Sequence, residues 1–508
     1  MDQPVTPLRA VETELKFALP PRFASSVLQH PAVERAATEL PRTERLLSVY
    51  YDTPQFDLLA AGVALRLRRT PKGWLQTIKW AGSALGGLHQ RAELETPVPD
   101  QQLDFAVLEG SDVAGLFAPA SLRKRLKPRF VTDFERINRT LQMGATRIAL
   151  SFDRGEIVAG RSREPISELE LELIDGETVA LFDVAAELQQ QLPLRASSRS
   201  KAERGYALCG HAQAPQKARP IALQAQLSIG QSFAIILGSG LSQLQANEHG
   251  MLAGHDHEYL HQMRVAVRRL RSALSAHADV ATGEAFDTLR RELKWAGSRL
   301  GVARDWDVFA TELLPPMLQE RRSDSDLLTV AKAATESRER ANQSARAAVR
   351  SRRYARLIFA LGRLAANVDA ALAAPGCAPA VSPFAKRLLD RRHDKVVACG
   401  GKLPQRSIDE LHALRIAIKK LRYGSEFFGS LFAGASSKLF RARVAELQES
   451  LGVINDQAGM QQLVQGAIPR KSTRHEALLA GWSASVVHAE RERLQKSWQQ
   501  FRRTRKFW

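Results

Sequence analysis

The stretch Val11-Glu-Thr-Glu-Leu-Lys-Phe17 decides how the first part of the chain is interpreted. Side chains of a β-strand alternate between its two faces, so a strand here places Glu12, Glu14 and Lys16 together on one face. A single charged strand face is typical of a surface in contact with water. The pattern becomes informative only if other strands of the same region repeat it.

Three further segments repeat this alternation. Arginine alternates with leucine in Leu65-Arg-Leu-Arg68, polar residues flank an isoleucine in Thr77-Ile-Lys79, and glutamate alternates with leucine in Glu168-Leu-Glu-Leu-Glu-Leu173. Several strands with one charged and one apolar face predict a closed sheet with a polar interior. Such an interior would hold acidic clusters for a metal ion and basic clusters for a polyanion.

The composition predicts a polyanionic partner. The chain has 508 residues, enough for two or three domains with their own cores. Lys and Arg number 73 against 54 Asp and Glu, which gives a net charge of +19 and a sequence pI of about 10.2. An excess of this size is typical of proteins that bind nucleic acid, an anionic membrane surface or polyphosphate.

Cysteine usage and hydropathy predict where the protein works. Cys209, Cys377 and Cys399 show neither metal-binding spacing nor a disulfide framework, which is typical of a reducing cytoplasm. No apolar run approaches the roughly 20 residues that a membrane span needs, and the N-terminal residues do not resemble a signal peptide. We therefore expect a soluble cytoplasmic protein with no membrane partner.

The periodicity of the sequence changes part-way along the chain. The first part is mostly strand-like, with helical spacing in 20–40 and 178–192, which predicts an α+β domain over residues 1–210. A small, polar, proline-containing stretch predicts a linker over 211–225. From 226 to 508 the spacing is helical nearly throughout, which predicts an all-α domain.

The helical part contains an internal repeat. The block at 258–271 recurs at 409–422, which is 151 positions later, and a second block at 300–305 recurs at the same offset. Two matched blocks with one offset predict two duplicated helical bundles. The repeats are expected over about 255–310 and 406–461.

Carboxylates occur on an early and a late strand of the first domain. If the sheet closes, Glu12 and Glu14 are expected to meet Glu170 and Glu172 across the lumen. Hard oxygen ligands of this kind suit Mg²⁺ or Mn²⁺, which usually bind one or two carboxylates together with phosphate oxygens. The cations expected to line the rest of the lumen are suited to phosphate, namely Lys16, Arg66, Arg68, Lys79, Arg91, Arg136, Lys201 and Arg204.

Ordered motifs of this region resemble the CYTH family, the triphosphate tunnel metalloenzymes, and in particular bacterial inorganic triphosphatases. The resemblance covers about residues 9–208. It rests on Glu12-x-Glu14-x-Lys16, on the arginine, lysine and glutamate segments above, on Thr132-Asp-Phe-x-Arg136 and on Ser200-Lys-Ala-x-Arg-Gly205. It implies an eight-stranded antiparallel β-barrel, the tunnel, that hydrolyses inorganic triphosphate to pyrophosphate and phosphate with bound Mg²⁺ or Mn²⁺.

The resemblance also implies a set of metal ligands. These ligands would be Glu12, Glu14, Glu170 and Glu172, with Asp153 near a second ion. For the ligands from the late strand two pairs stay open, either Glu168 with Glu170 or Glu170 with Glu172. We favour the later pair because a turn follows it closely. The eight basic residues named above would bind the triphosphate.

The general base is a hypothesis at this point. The catalytic set would comprise Glu12, Glu14 and Lys79. In this hypothesis a metal-held water is assisted by Lys79, whose pKa would have to be lowered. Phosphoryl transfer otherwise needs positioning and charge neutralisation, which the predicted residues supply.

Basic residues form one stripe on each repeated helix. Spacings of three, four and three put the members of a stripe on one helix face. The first stripe contains His261, Arg264, Arg268 and Arg271, and the second contains His412, Arg415, Lys419 and Arg422. Stacked cations repel each other unless an anion neutralises them, so we expect a polyanion between the two stripes.

The helical part, over about 226–500, resembles the CHAD family of histidine-containing α-helical domains. The resemblance implies that inorganic polyphosphate binds in a basic channel between two helical halves, with the two stripes as ligands. For His261 and His412 we favour a donor role toward phosphate oxygens over metal binding, because no acidic cluster accompanies them. Nucleic acid is not favoured as the partner.

Three other functions stay open. Nucleotide cyclisation, as in class IV adenylate cyclases, would need an adenosine pocket, which no sequence feature demands. Thiamine triphosphate hydrolysis would need an aromatic platform at the tunnel mouth, for which Trp74 and Trp80 are candidates. A non-catalytic scaffold at polyphosphate granules would gain nothing from carboxylates without a metal ion. We therefore expect a cytoplasmic enzyme, with association to such granules as a further expectation.

Overall fold

The computed structural model describes residues 8–254, 256–367, 379–401, 403–432, 434, 436–465 and 473–508. The chain forms two compact units. The first combines Met1–Ala214 with Ala355–Ala366, and the second combines Pro215–Tyr354 with Asn367–Trp508. Among the described residues, no helix has the length and hydropathy needed to cross a membrane. Cys209 and Cys399 are free thiols, and Cys377 lies outside the described residues.

The first unit is built around a closed antiparallel sheet. Its strands are β1 Leu8–Ala18, β2 Arg42–Asp52, β3 Ala64–Thr70, β4 Gly73–Leu85, β5 Leu88–Val98, β6 Lys127–Met143, β7 Thr146–Ala159, β8 Ser162–Asp175 and the short β9 Arg195–Ala196. The order is β5-β4-β3-β2-β6-β7-β8-β1, and β1 also pairs with β5, which closes the barrel. β9 adds to the edge of β1. The predicted eight-stranded antiparallel barrel is therefore confirmed.

The pairing of β1 decides what faces the lumen. Glu14 lies opposite Glu172, and Lys16 lies opposite Glu170, across the β1–β8 pair. Because directly opposite residues of paired strands share a face, these glutamates are neighbours on one wall. The expectation that the early and late glutamates meet across the lumen is wrong, since β1 and β8 are adjacent in the closed sheet.

Short helices cover the outside of the barrel. They are α1 Ala24–Leu28, α2 Pro31–Ala36, α3 Asp57–Ala60, α4 Ala114–Phe117, α5 Ala120–Arg125, α6 Thr178–Gln191 and α7 Lys201–Leu208, with 3₁₀ turns at Pro21–Phe23 and Ala106–Leu108. Leu15 and Phe17, which alternate with the charged residues of β1, are fully buried in a core with Phe182 of α6. Each such side chain contributes about 1.5–3 kcal/mol by its burial.

The second unit is helical. Its helices are α8 Ile229–Ala253, α9 His257–Ala276, α10 Glu284–Val308, α11 Leu314–Glu320, α12 Ser325–Arg350, α13 Arg352–Ala366, α14 Val381–Cys399, α15 Ile408–Phe428, α16 Ser436–Gln465 and α17 Thr473–Arg503, with a π-helical turn at Phe309–Leu313 and 3₁₀ turns at Leu403–Gln405 and Gly429–Leu431. Of α13, the residues from Ala355 onward belong to the first unit. The predicted linker contains neither helix nor strand over 211–224.

The two copies of the repeat fall on equivalent helices. The first basic stripe lies on α9 and the second on α15. Each helix begins at a side-chain cap, Asp256 for α9 and Ser407 for α15, which satisfies free backbone N–H groups of the first turn. The apolar residues beside each stripe are buried, namely Leu260, Met263, Val267 and Leu270 on α9, and Leu411, Leu414, Ile418 and Leu421 on α15.

The helix α13 contributes to the core of the first unit, which the sequence does not indicate. The ring of Phe359 lies 5.9 Å from that of Phe17 and 5.7 Å from that of Phe182. At the β4–β5 turn, Gly86 has a φ of 63° and faces Gly362, where an added Cβ would lie 2.7 Å from the Cα of Gly86. The two backbones approach each other this closely only because neither residue has a side chain.

Candidate functional site

The lumen of the barrel encloses a cavity of about 400 Å³. Most of the predicted site residues of the first unit line it, namely Glu12, Glu14, Lys16, Arg66, Arg68, Lys79, Arg91, Arg136, Glu170, Glu172 and Lys201. Asp153 and Arg204 do not line it. Asp153 is fully buried behind the cavity wall, and Arg204 turns to Glu164 and Glu168 at distances of 2.7 and 3.0 Å.

One wall of the cavity carries more carboxylates than cations. Burial, followed by repulsion from Glu12 and Glu14, raises the pKa of Glu172 to about 7. Burial likewise raises the pKa of Glu14, although Lys16 lies 2.9 Å away. Within the described part of the chain the carboxylate of Glu172 makes no hydrogen bond or ion pair. We call Glu12, Glu14 and Glu172 the acidic wall.

Lys79 lies at the edge of the acidic wall. Its ammonium nitrogen is 2.5 Å from the Glu12 carboxylate and 3.3 Å from that of Glu93. Register explains these contacts, because Lys79 of β4 is directly opposite Glu93 of β5. Lys79 is thus an ion-pair partner of two carboxylates, and its role in assisting a water stays a prediction.

A second group of carboxylates lies beside the acidic wall and is neutralised internally. Oxygen atoms of Asp153, Glu168 and Glu170 lie within 4.8 Å of one another. The Lys201 ammonium contacts all three, at 2.7 Å from Asp153 and 2.9 Å from Glu170. Arg136 adds contacts of 2.7 Å to Asp153 and 2.5 Å to Glu170. We call Asp153, Glu168 and Glu170 the inner acidic cluster.

The charges of Lys201 and Arg136 keep Asp153 and Glu170 of the inner acidic cluster ionised. Burial alone would raise the pKa of Asp153, but the two cations outweigh burial and lower it. Lys16, Lys201 and Arg136 likewise hold the pKa of Glu170 well below its usual range despite its burial. A metal ion can enter this cluster only by displacing the ammonium of Lys201, whereas no ammonium or guanidinium of the described residues contacts Glu172.

These contacts distinguish the two possible pairs of metal-binding glutamates from β8, namely Glu168 with Glu170 and Glu170 with Glu172. Glu168 is bound to Lys201 and Arg204 and does not line the cavity. Glu172 lines the cavity, has an elevated pKa and contacts no cation in the described part of the chain. A carboxylate such as that of Glu172, whose charge is not balanced by a contacting cation, is suited to bind a divalent cation such as Mg²⁺ or Mn²⁺. Glu12, Glu14 and Glu170 line the same cavity and would supply further oxygen ligands.

The opposite side of the cavity is cationic and incompletely satisfied. Burial, together with the charges of Arg66 and Arg136, lowers the pKa of Arg68 to about 10, so this guanidinium gains from a bound anion. Arg66 donates a hydrogen bond of 3.4 Å to the hydroxyl of Tyr50. Among the described residues, the buried Nε atoms of Arg66 and Arg91 have no hydrogen-bond partner. Phosphate oxygens are natural partners of the guanidinium groups that line the cavity.

The cavity also contains residues that sequence reasoning missed. These are Tyr50, Glu93, Glu95 and Ser200. A signal for two of them is present, because Arg91-Ala-Glu93-Leu-Glu95 has the same alternation as the segments that were recognised. Ser200 caps α7, and its side chain accepts a hydrogen bond from the Glu203 amide, which fixes the start of the helix that carries Lys201.

The second unit brings part of its two basic stripes together. Arg268 and Arg264 of the first stripe act on Lys419 of the second, and burial together with Arg415 and Arg268 lowers the pKa of Lys419 to about 7. This shift requires cations of both stripes near one another. Arg271 is exposed, and Arg422 instead donates a hydrogen bond of 3.0 Å to Glu426 on its own helix.

Equivalent aspartates orient one arginine in each repeat. Arg264 is 3.3 Å from Asp305, and Arg415 is 3.9 Å from Asp456. The histidines are not equivalent in their contacts. The Nδ1 atom of His412 lies 2.8 Å from the side-chain oxygen of Asn455. The buried Nδ1 of His261 has no partner among the described residues.

Comparisons with known proteins agree with this division of the chain. Residues 10–206 match the family model of the CYTH domain, and residues 235–465 match that of the CHAD domain. The crystal structure of the CHAD domain from the plant Ricinus communis superposes with a TM-score of 0.51 at 30% identity, and the match covers 58% of this chain and 98% of that one.

Relatives also match this chain by sequence, among them one from Haemophilus influenzae and one from Mycobacterium tuberculosis. An inorganic triphosphatase of Haemophilus influenzae is 33% identical over 199 residues, which is 39% of this chain and 54% of that protein. The chain therefore spans about half the length of this relative. An uncharacterized protein of Mycobacterium tuberculosis is 25% identical over 519 residues, and the match covers 96% of both chains.

Proposed function

We propose that this chain, which joins a CYTH domain to a CHAD domain, hydrolyses inorganic triphosphate to pyrophosphate and phosphate inside its barrel. One observation carries the proposal. A closed lumen holds a wall of three carboxylates, of which Glu172 has no contacting cation among the described residues, beside arginines with unsatisfied N–H groups. The relative from Haemophilus influenzae, which bears the name of this activity, supports the same substrate.

The basic residues of the lumen would bind and orient the substrate. Arg66, Arg68 and Arg91 carry donors suited to bridging phosphate oxygens, and Lys16 and Lys201 add point charges. Their placement inside a cavity of about 400 Å³ would hold a short phosphate chain in one orientation and limit the access of bulk water.

The acidic wall would hold Mg²⁺ or Mn²⁺. We propose Glu12, Glu14 and Glu172 as ligands, with Glu170 beside them, and Asp153 near a second ion only if Lys201 moves. A bound divalent cation neutralises phosphate charge and lowers the pKa of water that it holds. Arg136 and Lys201 would keep Glu170 ionised and oriented toward the cavity, as their contacts of 2.5 and 2.9 Å indicate.

The structure does not favour an organic triphosphate. Trp80, a predicted platform for thiamine, is 7% exposed and packs in the apolar core with Leu65 and Ile78. Among the described residues that line the cavity, Tyr50 is the one aromatic side chain, and it stacks on Phe130 at 4.5 Å. A lumen with few apolar surfaces offers little to an adenine or thiamine ring.

Phosphate release from three substrates tests this assignment. Tripolyphosphate, ATP and thiamine triphosphate are each incubated with the full chain, with and without Mg²⁺. We expect release from tripolyphosphate at a much higher kcat/KM than from the other two, and only with the metal ion. Faster turnover of thiamine triphosphate, or cyclic AMP formed from ATP, would overturn the assignment. No turnover of any substrate would support a scaffold.

The helical domain would bind inorganic polyphosphate. This part of the proposal is supported by cations of both stripes that influence one another, namely Arg264, Arg268, Arg415 and Lys419. A role at polyphosphate granules in the cytoplasm belongs to the same proposal. In the test, Arg264→Glu combined with Arg415→Glu should weaken binding of long-chain polyphosphate at low salt at least tenfold, and unchanged affinity would contradict the basic channel.

A further inference from the structure

His89 lies on β5 behind the cavity and has no exposed surface. Its Nε2 is 2.8 Å from the carbonyl oxygen of Ser197, and its Nδ1 is 3.3 Å from a guanidinium nitrogen of Arg91. A carbonyl oxygen only accepts hydrogen bonds, so Nε2 carries the hydrogen and Nδ1 offers a lone pair to Arg91. Burial, with the charges of Lys16 and Arg91, lowers the pKa of His89 to about 3 and keeps the ring neutral.

Arg91 is restrained along its whole length. Its aliphatic part crosses Gly82, where an added Cβ would lie 2.8 Å from the Arg91 Cγ. One terminal nitrogen is shared between His89 and Glu203, which lies 3.5 Å away. The Nε atom remains buried and without a partner among the described residues, although the side chain lines the cavity. The guanidinium is therefore held on one side by His89 and Glu203, and its side chain faces the cavity.

Ser197 connects this arrangement to the start of α7. Its amide donates to the carbonyl of Lys16 at 2.8 Å. Three residues later, Ser200 caps the helix whose first residue is Lys201. Through its contacts with Arg91 and Ser197, His89 consequently links Arg91 of β5 to the segment that positions Lys201 at the start of α7.

We propose that His89 is a positioning residue, which holds the Arg91 guanidinium in register with the Lys201 segment so that this guanidinium faces a phosphate oxygen in the cavity. The inference rests on the proposed function of the cavity. A neutral imidazole suits this role because a charged ring would repel Arg91, while an apolar ring would remove the hydrogen bond to the Ser197 carbonyl and leave Glu203 to hold that guanidinium nitrogen alone.

A double-mutant cycle with Arg91→Ala tests the proposal. We expect His89→Phe to raise the KM for tripolyphosphate about tenfold, the effect of one hydrogen bond to a charged group, and to change kcat less. In the Arg91→Ala background the same change should have no further effect. His89→Gln, whose amide can both donate and accept, should recover part of the loss. Equal losses in both backgrounds, or no loss in either, would overturn the proposal.

Two further measurements distinguish a failure of the proposed role of His89 from a failure of the proposed function. His277 is the matched control, because it is also fully buried and neutral, with Nδ1 2.9 Å from the carbonyl of Ala273. We expect His277→Phe to leave the KM unchanged. If the parent protein does not hydrolyse tripolyphosphate, the proposed function fails, and the same cycle is measured as the Kd of tripolyphosphate by calorimetry. Additive effects on that Kd would overturn the role of His89 independently.

Discussion

The ammonium nitrogen of Lys201 lies 2.7 Å from the carboxylate of Asp153, whose side chain is completely buried. The same ammonium contacts Glu168 and Glu170, so the inner acidic cluster already contains its own cation. At Glu172 of the acidic wall, the residues that the structure describes supply no such cation. This difference separates carboxylates that organise the barrel from carboxylates available to a metal ion, and it makes distinct predictions for each group.

Replacement of Lys201 by methionine is expected to destabilise the first unit. Three buried carboxylates would lose their shared cation, and removal of one partner from such a cluster costs about 3–5 kcal/mol. Native-state hydrogen exchange of the β7 and β8 amides in the full chain measures this loss in the unit concerned. Lys201→Arg, which keeps the charge, is the control and should lose less. Equal stability of Lys201→Met and the parent would contradict the organising role of Lys201.

Replacement of Glu172 by glutamine is expected to stabilise the metal-free protein and to weaken its binding of Mg²⁺. Because Glu172 is repelled by Glu12 and Glu14, its neutralisation should raise the melting temperature of the metal-free protein. The Mg²⁺ concentration that gives half-maximal activity should rise about tenfold or more, since an oxygen ligand is lost. Titration of activity with Mg²⁺ and thermal unfolding in a chelator measure the two effects.

Glu168→Gln is the matched comparison for Glu172→Gln. Glu168 is bound to Lys201 and Arg204, so this variant should lower stability and leave the Mg²⁺ requirement nearly unchanged. The opposite pattern, with a larger Mg²⁺ effect at Glu168, would assign the late metal pair to Glu168 and Glu170.

Phe359→Ala is expected to weaken the first unit although the residue lies far along the chain. Its ring packs on Phe17 and Phe182 and is 5% exposed, and removal of a buried phenylalanine side chain costs about 3–5 kcal/mol. Hydrogen exchange of the β1 amides should report the loss. Arg363→Ala, on the same helix, removes an exposed ion pair to Asp183 and should have little effect. Unchanged β1 protection in Phe359→Ala would show that α13 does not stabilise the barrel.

The sequence was sufficient to predict the face that Glu12, Glu14 and Lys16 share, because the side-chain period of two follows from strand geometry. It could not show that Glu14 is adjacent to Glu172, since the order of strands in a closed sheet depends on pairings between distant segments. The same limit explains Arg204. Its motif predicted a cavity residue, but only the fold brings Glu164 and Glu168 close enough to bind it.

The other unpredicted features have a related cause. The spacing of α13 indicates an apolar face but not which surface covers it, so the contact of Phe359 with the barrel core had no sequence signal. The hydrogen bond from His89 to Ser197 likewise joins residues more than a hundred positions apart. In the second unit, the heptad-like spacing predicted both stripes. It could not predict the rotamer of Arg422, whose side chain binds Glu426 of its own helix and not the other cations of the stripe.

Polyphosphate binding by the second unit is expected to weaken as the pH rises above 7. Burial and the cations Arg415 and Arg268 lower the pKa of Lys419 to about 7, while a bound polyanion favours the protonated amine and raises that pKa. Binding therefore takes up a proton, and the Kd should rise up to about tenfold between pH 7 and 8.5. Titrations at both pH values measure the change.

Lys419→Arg is the control for this pH dependence, since arginine stays charged over the whole range. The variant should bind polyphosphate with a nearly constant Kd from pH 7 to 8.5. Parallel pH profiles for the parent and the variant would mean that Lys419 does not titrate in the channel.

We propose above all that the acidic wall serves metal-dependent hydrolysis of triphosphate. Phosphate released from tripolyphosphate is measured for the full chain and for Glu14→Gln, with saturating Mg²⁺ and with a chelator. We expect rapid release by the parent only with Mg²⁺ and a loss of about a hundredfold or more in Glu14→Gln. Hydrolysis that continues in the chelator, or a Glu14→Gln variant as active as the parent, would contradict this proposal.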